Sequence, residues 1–228
     1  MPSNARIHSL FIPGPAGRLE SLLDAGEPAA EYCAVVAHPH PLYGGTMHNK
    51  VVYHIAKTLN AFGLPVLRFN FRGVGDSGGR HDNGCGEIDD VHAALDWVHN
   101  EFNLPVIFAG FSFGAAVGIR AACQNQETEA MIAVGAPVYV EERHYTYSPL
   151  RDCAKPKLFV SGDRDEFSTP GELEGVIRVA SQPKKLVIVP GCDHFFTGHL
   201  DEMQSIVKQW VGETLHLECS PDRLPDHE

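Results

Sequence analysis

The chain reads as a three-layer α/β domain built on a mostly parallel, eight-stranded sheet with an antiparallel hairpin at its N-terminal side. Three observations predict this. Six near-continuous apolar runs of strand length recur along the chain, as expected for strands covered on both faces. Segments with helical spacing lie between most of them. Before them stand two short apolar runs separated by Pro13-Gly14-Pro15-Ala16-Gly17, a spacing that suits a looped hairpin better than a two-residue turn.

The hairpin strands are read at 7–12 and 18–23. The buried strands follow at Tyr32–Ala37, Pro65–Phe69, Pro105–Ala109, Ala130–Val134, Lys157–Val160 and Lys185–Val189. One helical stripe runs through Val51, Val52, Ile55, Leu59 and Phe62, and a second through Ile88, Val91, Leu95, Val98 and Phe102. Ala115–Ala122 gives a small-residue helix suited to close packing, and Ile206, Val207, Trp210 and Val211 mark a last one. Alternation of strand and helix predicts parallel strands joined by crossovers. Residues 1–218 are expected to form one domain, with no repeat or linker dividing them. The polar, proline-broken end, 219–228, reads as a loosely held tail.

A length of 228 residues suffices for a sizeable core, and the composition, 43% hydrophobic and 21% charged, is that of a globular protein. The formal charge of −11 argues against general binding to nucleic acid or anionic membranes, which requires clustered Lys and Arg. No basic segment followed by an apolar run opens the chain, and no apolar stretch reaches spanning length, so a cytoplasmic location is expected. The six cysteines show neither C-x-x-C pairs nor scaffold density and are read as reduced thiols. Monomer and homodimer are both compatible with this composition.

Gly110-Phe111-Ser112-Phe113-Gly114 sits where a strand pattern turns into a helical one. A serine there stands on a sharp turn, its hydroxyl projecting from the end of the sheet. A hydroxyl at its normal pKa is a weak nucleophile, so it needs a base to take its proton and a third group to orient that base. Two downstream loops offer them: Ser161-Gly162-Asp163-Arg164-Asp165 after one strand, and Gly191-Cys192-Asp193-His194 after the last. In a parallel sheet these loops and the Ser112 turn emerge at one edge, where ligands bind in open α/β folds. Both Asp163 and Asp165 are candidate orienting acids, since an aspartate after a strand can also serve its own turn. Among the histidines only His194 directly follows the last strand; the others read as loop, helix-surface or core residues.

With the order Ser112, aspartate, His194, the sequence resembles the α/β-hydrolase superfamily over almost its whole length. His38-Pro39-His40-Pro41-Leu42 and Asn70-Phe71-Arg72-Gly73-Val74-Gly75-Asp76-Ser77 also carry the resemblance. More narrowly it resembles small serine hydrolases without a lid domain, many described as carboxylesterases. The resemblance implies the α/β-hydrolase fold without a separate cap, since only about twenty residues separate the strand ending at Val134 from Lys157. That interval leaves room for a loop or a short helix. The family pattern G-x-x-D with a later proline implies Asp165, followed by Pro170, as the acid. The triad is then Ser112, Asp165 and His194.

The developing oxyanion needs backbone donors. The residue after the nucleophile, Phe113, supplies one at a helix N-terminus. The other belongs to the loop after Ala37, where Pro39 and Pro41 have no N–H to give. The family spacing selects His40, and Leu42 and Tyr43 stay open as donors; this chain carries His38-Pro39 where many members carry His-Gly. Tyr139, Tyr145, Tyr147 and Phe111 or Phe113 are candidates for an acyl pocket. No cofactor is required, and the His38-x-His40 and His194/His199 pairs lack the further ligands of a metal site. The implied partner is a small-molecule ester, split by acyl transfer. A thioesterase or small-peptide hydrolase would use the same triad, and a non-catalytic binding protein could keep the same fold.

Overall fold

The computed structural model describes residues 7–140 and 143–220. Its central sheet has eight strands: β1 (Ile7–Ile12), β2 (Leu19–Asp24), β3 (Cys33–Ala37), β4 (Val66–Phe69), β5 (Val106–Phe111), β6 (Thr128–Val134), β9 (Lys157–Gly162) and β10 (Lys184–Val189). They lie in the order β1-β2-β4-β3-β5-β6-β9-β10. β2 pairs antiparallel with both β1 and β4, and every other neighbouring pair is parallel. The expected α/β-hydrolase architecture is therefore present, hairpin included. The small strands β7 (Tyr139–Val140) and β8 (Arg143–His144) form a separate antiparallel pair.

Helices cover both faces, which is why the central strands need no polar alternation. β3 and β5 are buried at every position. On one face α1 (Lys50–Asn60) and α5 (Leu200–Leu215) pack with Val36, Ile107, Ala109 and Ile132. On the other lie α2 (Gly86–Phe102), α3 (Phe113–Gln124) and α4 (Pro170–Arg178), over Val35, Phe108, Met131 and Phe159. α1 begins where the Asn49 side chain accepts the N–H groups of Val51 and Val52, satisfying donors that a helix start leaves unpaired.

The connection between β6 and β9 adds a hairpin to the expected loop or short helix. Among the described residues it holds the β7–β8 hairpin and a 3-10 turn, Ser148–Arg151, and no cap. Most of the tail read as loose, 221–228, lies outside the described residues. Among the described residues no helix is long and apolar enough to cross a membrane.

α3 approaches β5 closely because its inner positions are Ala and Gly. A Cβ at Gly118 would stand 1.9 Å from Phe108 Cζ, inside the buried ring. Gly118→Ala is accordingly expected to destabilise the protein by about 1–3 kcal/mol through overpacking, against the usual benefit of alanine in a helix. Urea denaturation of the variant would check the sign.

Candidate active site

Ser112 is both the last step out of β5 and the N-cap of α3, with φ 54° and ψ −121°. A non-glycine residue rarely occupies that region, so the turn holds local backbone strain. The flanking glycines make the turn sterically possible. A Cβ on Gly110 would lie 2.7 Å from the Ala115 nitrogen, and one on Gly114 would lie 2.5 Å from the His38 carbonyl oxygen. The Ser112 N–H donates to the Val134 carbonyl and its own carbonyl accepts from Ala116, fixing the residue between strand and helix.

The acid and base loops are pressed together further along the same sheet edge, after β9 and β10, two and three strands from β5. A Cβ on Gly162 would stand 2.0 Å from the Cys192 carbonyl oxygen, so the approach requires glycine. That carbonyl accepts the Arg164 N–H, and the Asp163 carboxylate accepts the Gly191 N–H at 2.7 Å. Asp163 thus braces the two loops, while Asp165 turns inward. Asp165 accepts hydrogen bonds from the Ser161 hydroxyl at 3.2 Å and the Phe167 N–H at 2.9 Å. Its two oxygens lie 3.0 and 2.9 Å from His194 Nδ1. His194 Nε2 lies 2.9 Å from Ser112 Oγ. Three residues read from the sequence as a set are therefore in one hydrogen-bonded line.

The chemistry of the partners fixes the protons along it. Asp165, only 4% exposed, offers acceptors, so His194 Nδ1 carries hydrogen and Nε2 turns a lone pair to the serine hydroxyl. The imidazole is held in place by aromatic neighbours: Phe111 stacks at 5.0 Å between centroids, and Phe167 and Phe195 meet it edge-on at 4.5 and 5.2 Å.

Ser112 opens into a cavity of about 470 Å³ whose wall also includes His40, Phe113, Tyr139, Tyr145 and His194. Tyr139, Tyr145 and Phe113 stand where the acyl-pocket reading needs them. Phe111 and Tyr147 do not: Phe111 is buried in the core behind His194, and Tyr147 is buried with its hydroxyl donated to the Pro137 carbonyl. Sequence reasoning missed Glu166, Phe167 and Phe195 in this wall. Their signal was simple adjacency, since all three lie within two residues of Asp165 or His194. Cys192 is buried in the core, and burial raises its thiol to about 11, so it packs there as the thiol.

Phe113 N–H heads α3, where a helix leaves its first donors unpaired. His40 lies across the cavity wall, its ring 4.8 Å from that of Phe113. The other donors of this loop are engaged by His40 itself: Leu42 N–H donates to its Nδ1 at 3.2 Å, and Tyr43 N–H to its carbonyl. His38 anchors the loop from beneath. Its Nε2 accepts the Phe71 N–H at 3.0 Å and its Nδ1–H donates to the Pro39 carbonyl at 2.7 Å, so both nitrogens are occupied in the core. The stretch from Arg72 to Gly79 is fastened beside it. Arg72 forms a two-pronged ion pair with buried Asp90, and Ser77 links the Asn70 carbonyl to the Glu20 N–H.

Burial drops the His38 pKa from 6.5 to about 3, opposed by its bond to the Pro39 carbonyl and aided by His40. The unfolded chain therefore takes up a proton at His38 before the folded one does. Its contribution is fully present above pH 6.5 and is lost toward pH 3, at about 1.4 kcal/mol per pH unit within that window. Urea midpoints are expected to fall between pH 7 and 5, and His38→Gln to flatten that part of the fall although the variant starts less stable.

Comparison with known proteins accords with this geometry. A family model described as alpha/beta hydrolase domain matches residues 32–211. An alpha-beta serine hydrolase homologue from Coxiella burnetii is 38% identical, with a TM-score of 0.81, covering 89% of this chain and 96% of its own. A Xanthomonas campestris protein described as an a/b serine hydrolase without lid is 34% identical, with a TM-score of 0.82, covering 95% and 98%. An uncharacterized protein of Rickettsia prowazekii is 35% identical over 209 residues, 89% of this chain and 87% of its own. With a matching model over most of its length and a lid-less serine-elbow architecture, the chain belongs to the alpha/beta hydrolase family.

Proposed function

We propose that the protein hydrolyses small carboxylic esters through an acyl-enzyme on Ser112. The observation that carries this reading is the continuous hydrogen-bonded line from Ser112 Oγ through His194 to Asp165, ending in an open cavity. Ser112 Oγ attacks the ester carbonyl while His194 Nε2 accepts its proton, and Asp165 stabilises the imidazolium so formed. The tetrahedral oxyanion is received by the N–H groups of Phe113 and His40, each such donor being worth about 2.7–4 kcal/mol where dissected in other enzymes. His194 then gives its proton to the leaving alcohol oxygen as the carbonyl re-forms. Water enters by the reverse route, losing a proton to His194 and releasing the acid and Ser112.

The cavity wall favours neutral esters over thioesters of phosphate-bearing carriers. Its ionisable side chains are Glu166, the histidines and tyrosines, so a polyanionic carrier would meet a carboxylate and no described Lys or Arg. The relatives described as serine hydrolases support the same class of chemistry for this chain. Purified protein should be assayed on matched esters, thioesters and amides of increasing acyl length. Turnover is expected to be fastest on neutral esters. Faster turnover of the matched thioester would make the protein a thioesterase, and folded protein inert to the whole panel would favour a binding role.

A further inference from the structure

Away from the cavity, at the opposite end of α3 from Ser112, two thiols meet. Cys123 is the penultimate residue of the helix, and Cys153 lies between the Ser148–Arg151 turn and β9. The side chains are within hydrogen-bonding reach of each other, and Cys123 Sγ also lies 3.9 Å from Met131 Sδ. Cys153 belongs to the core, 5% exposed, with Cys123 packed against it and partly open to solvent.

Two lysines are tied to the same stretch of backbone. Lys155 Nζ donates to the Ala122 carbonyl at 3.0 Å and to the Asn125 carbonyl, next to and just beyond Cys123. Lys157, itself 1% exposed, donates through Nζ to the Cys153 carbonyl at 2.8 Å and to the Ser181 carbonyl at 2.9 Å. Neither ammonium is within ion-pair distance of a carboxylate among the described residues; both charges act on the Cys153 sulfur, with Glu127 and Glu129 acting on Lys155 from further off.

We propose that Cys123 and Cys153 are a peroxide-sensitive thiol pair that closes to a disulfide and ties α3 to the segment entering β9. Cys153 is the attacking sulfur. The adjoining Cys123 thiol, the Lys155 N–H and the two ammonium groups favour its thiolate and pull its pKa down against the cost of burial, while Cys123 is held protonated. The thiolate attacks the distal oxygen of a hydroperoxide: the S–O bond forms, the O–O bond breaks, and the departing hydroxide or alkoxide takes a proton to leave as water or alcohol. The Cys123 sulfur then attacks Cys153, forming S–S and breaking S–O, and hydroxide leaves as water with the Cys123 proton. Two electrons pass from the thiols to the peroxide, so no further reductant or oxidant enters. The crosslink joins the helix that bears Ser112 to the strand that leads to Asp165, and it does not depend on the reaction proposed for that site.

The test uses the full chain treated with hydrogen peroxide, quenched in acid, alkylated and mapped as peptides without reduction. A Cys123–Cys153 linkage is expected in most molecules before exposed Cys85 is consumed, with the circular dichroism unchanged and both thiols restored by dithiothreitol. In Cys123→Ser the reaction should stop at a Cys153 sulfenic acid that dimedone labels. Free Cys123 and Cys153 after Cys85 has been fully oxidised would overturn the proposal, as would pairing of either with Cys33, Cys192 or Cys219. The unmodified chain decides this alone, should a serine variant fold poorly.

Discussion

Ser112→Ala is expected to lower ester turnover by on the order of 10⁵- to 10⁶-fold while the fold survives. The change removes the attacking oxygen and leaves everything else in place. Among the described residues the hydroxyl's one hydrogen bond is to His194, whereas the contacts that hold the turn, to Val134 and Ala116, are backbone bonds that alanine keeps. Alanine must also accept the φ of 54°, as serine does, so the strain is nearly the same in both proteins. Substrate binding should therefore persist in the variant, with the loss falling on kcat. Assays on the purified variant, beside its thermal melt, check both parts; undiminished hydrolysis would rule out Ser112 as the nucleophile.

Asp165→Asn should cost about 10⁴-fold in kcat, although the substitution changes only one atom in shape. The native carboxylate accepts from His194 Nδ1, Ser161 and Phe167. An asparagine amide can keep the Phe167 bond through its oxygen, but its NH₂ then faces Nδ1 and requires an acceptor there. The imidazole responds by moving its hydrogen to Nε2, the atom that faces Ser112, and the base is lost. Asp163→Asn makes the matching control. Among the described residues its carboxylate accepts only the exposed Gly191 N–H, a bond that an amide oxygen reproduces, so kcat is expected to stay within about threefold of the unaltered protein. Equal losses in the two variants would contradict the assignment of the acid to Asp165.

The distinction between these aspartates shows what sequence can reach. Both lie on the correct loop, and only the family spacing favours the second; what separates them is contact between loops, Asp163 accepting the Gly191 N–H and Asp165 facing His194. The meeting of Ser112 with His194 spans 82 positions, yet it was legible, because parallel strands buried on both faces give continuous apolar runs that place their following loops at one edge. α4 was missed for a local reason. Gly171 and Gly175 dilute its pattern, and only Leu173 and Ile177 are buried. The capping box Thr169–Glu172, with Pro170 at the first turn, was nevertheless written in the chain. β7 and β8 are two residues each, too short for any alternation to register. Tyr147 was placed in the cavity wall from its neighbourhood alone; its hydroxyl finds the Pro137 carbonyl instead and the ring turns into the core.

A fluorophosphonate probe reads the nucleophile, its base and their common cavity in a single reaction. With intact protein, mass spectrometry is predicted to find one adduct per chain, on the peptide carrying Ser112, and to find its formation slowed at least about a hundredfold in His194→Ala. Folded protein that stays unlabelled, or that carries the phosphonyl group on another residue, would contradict a Ser112 hydroxyl activated by His194.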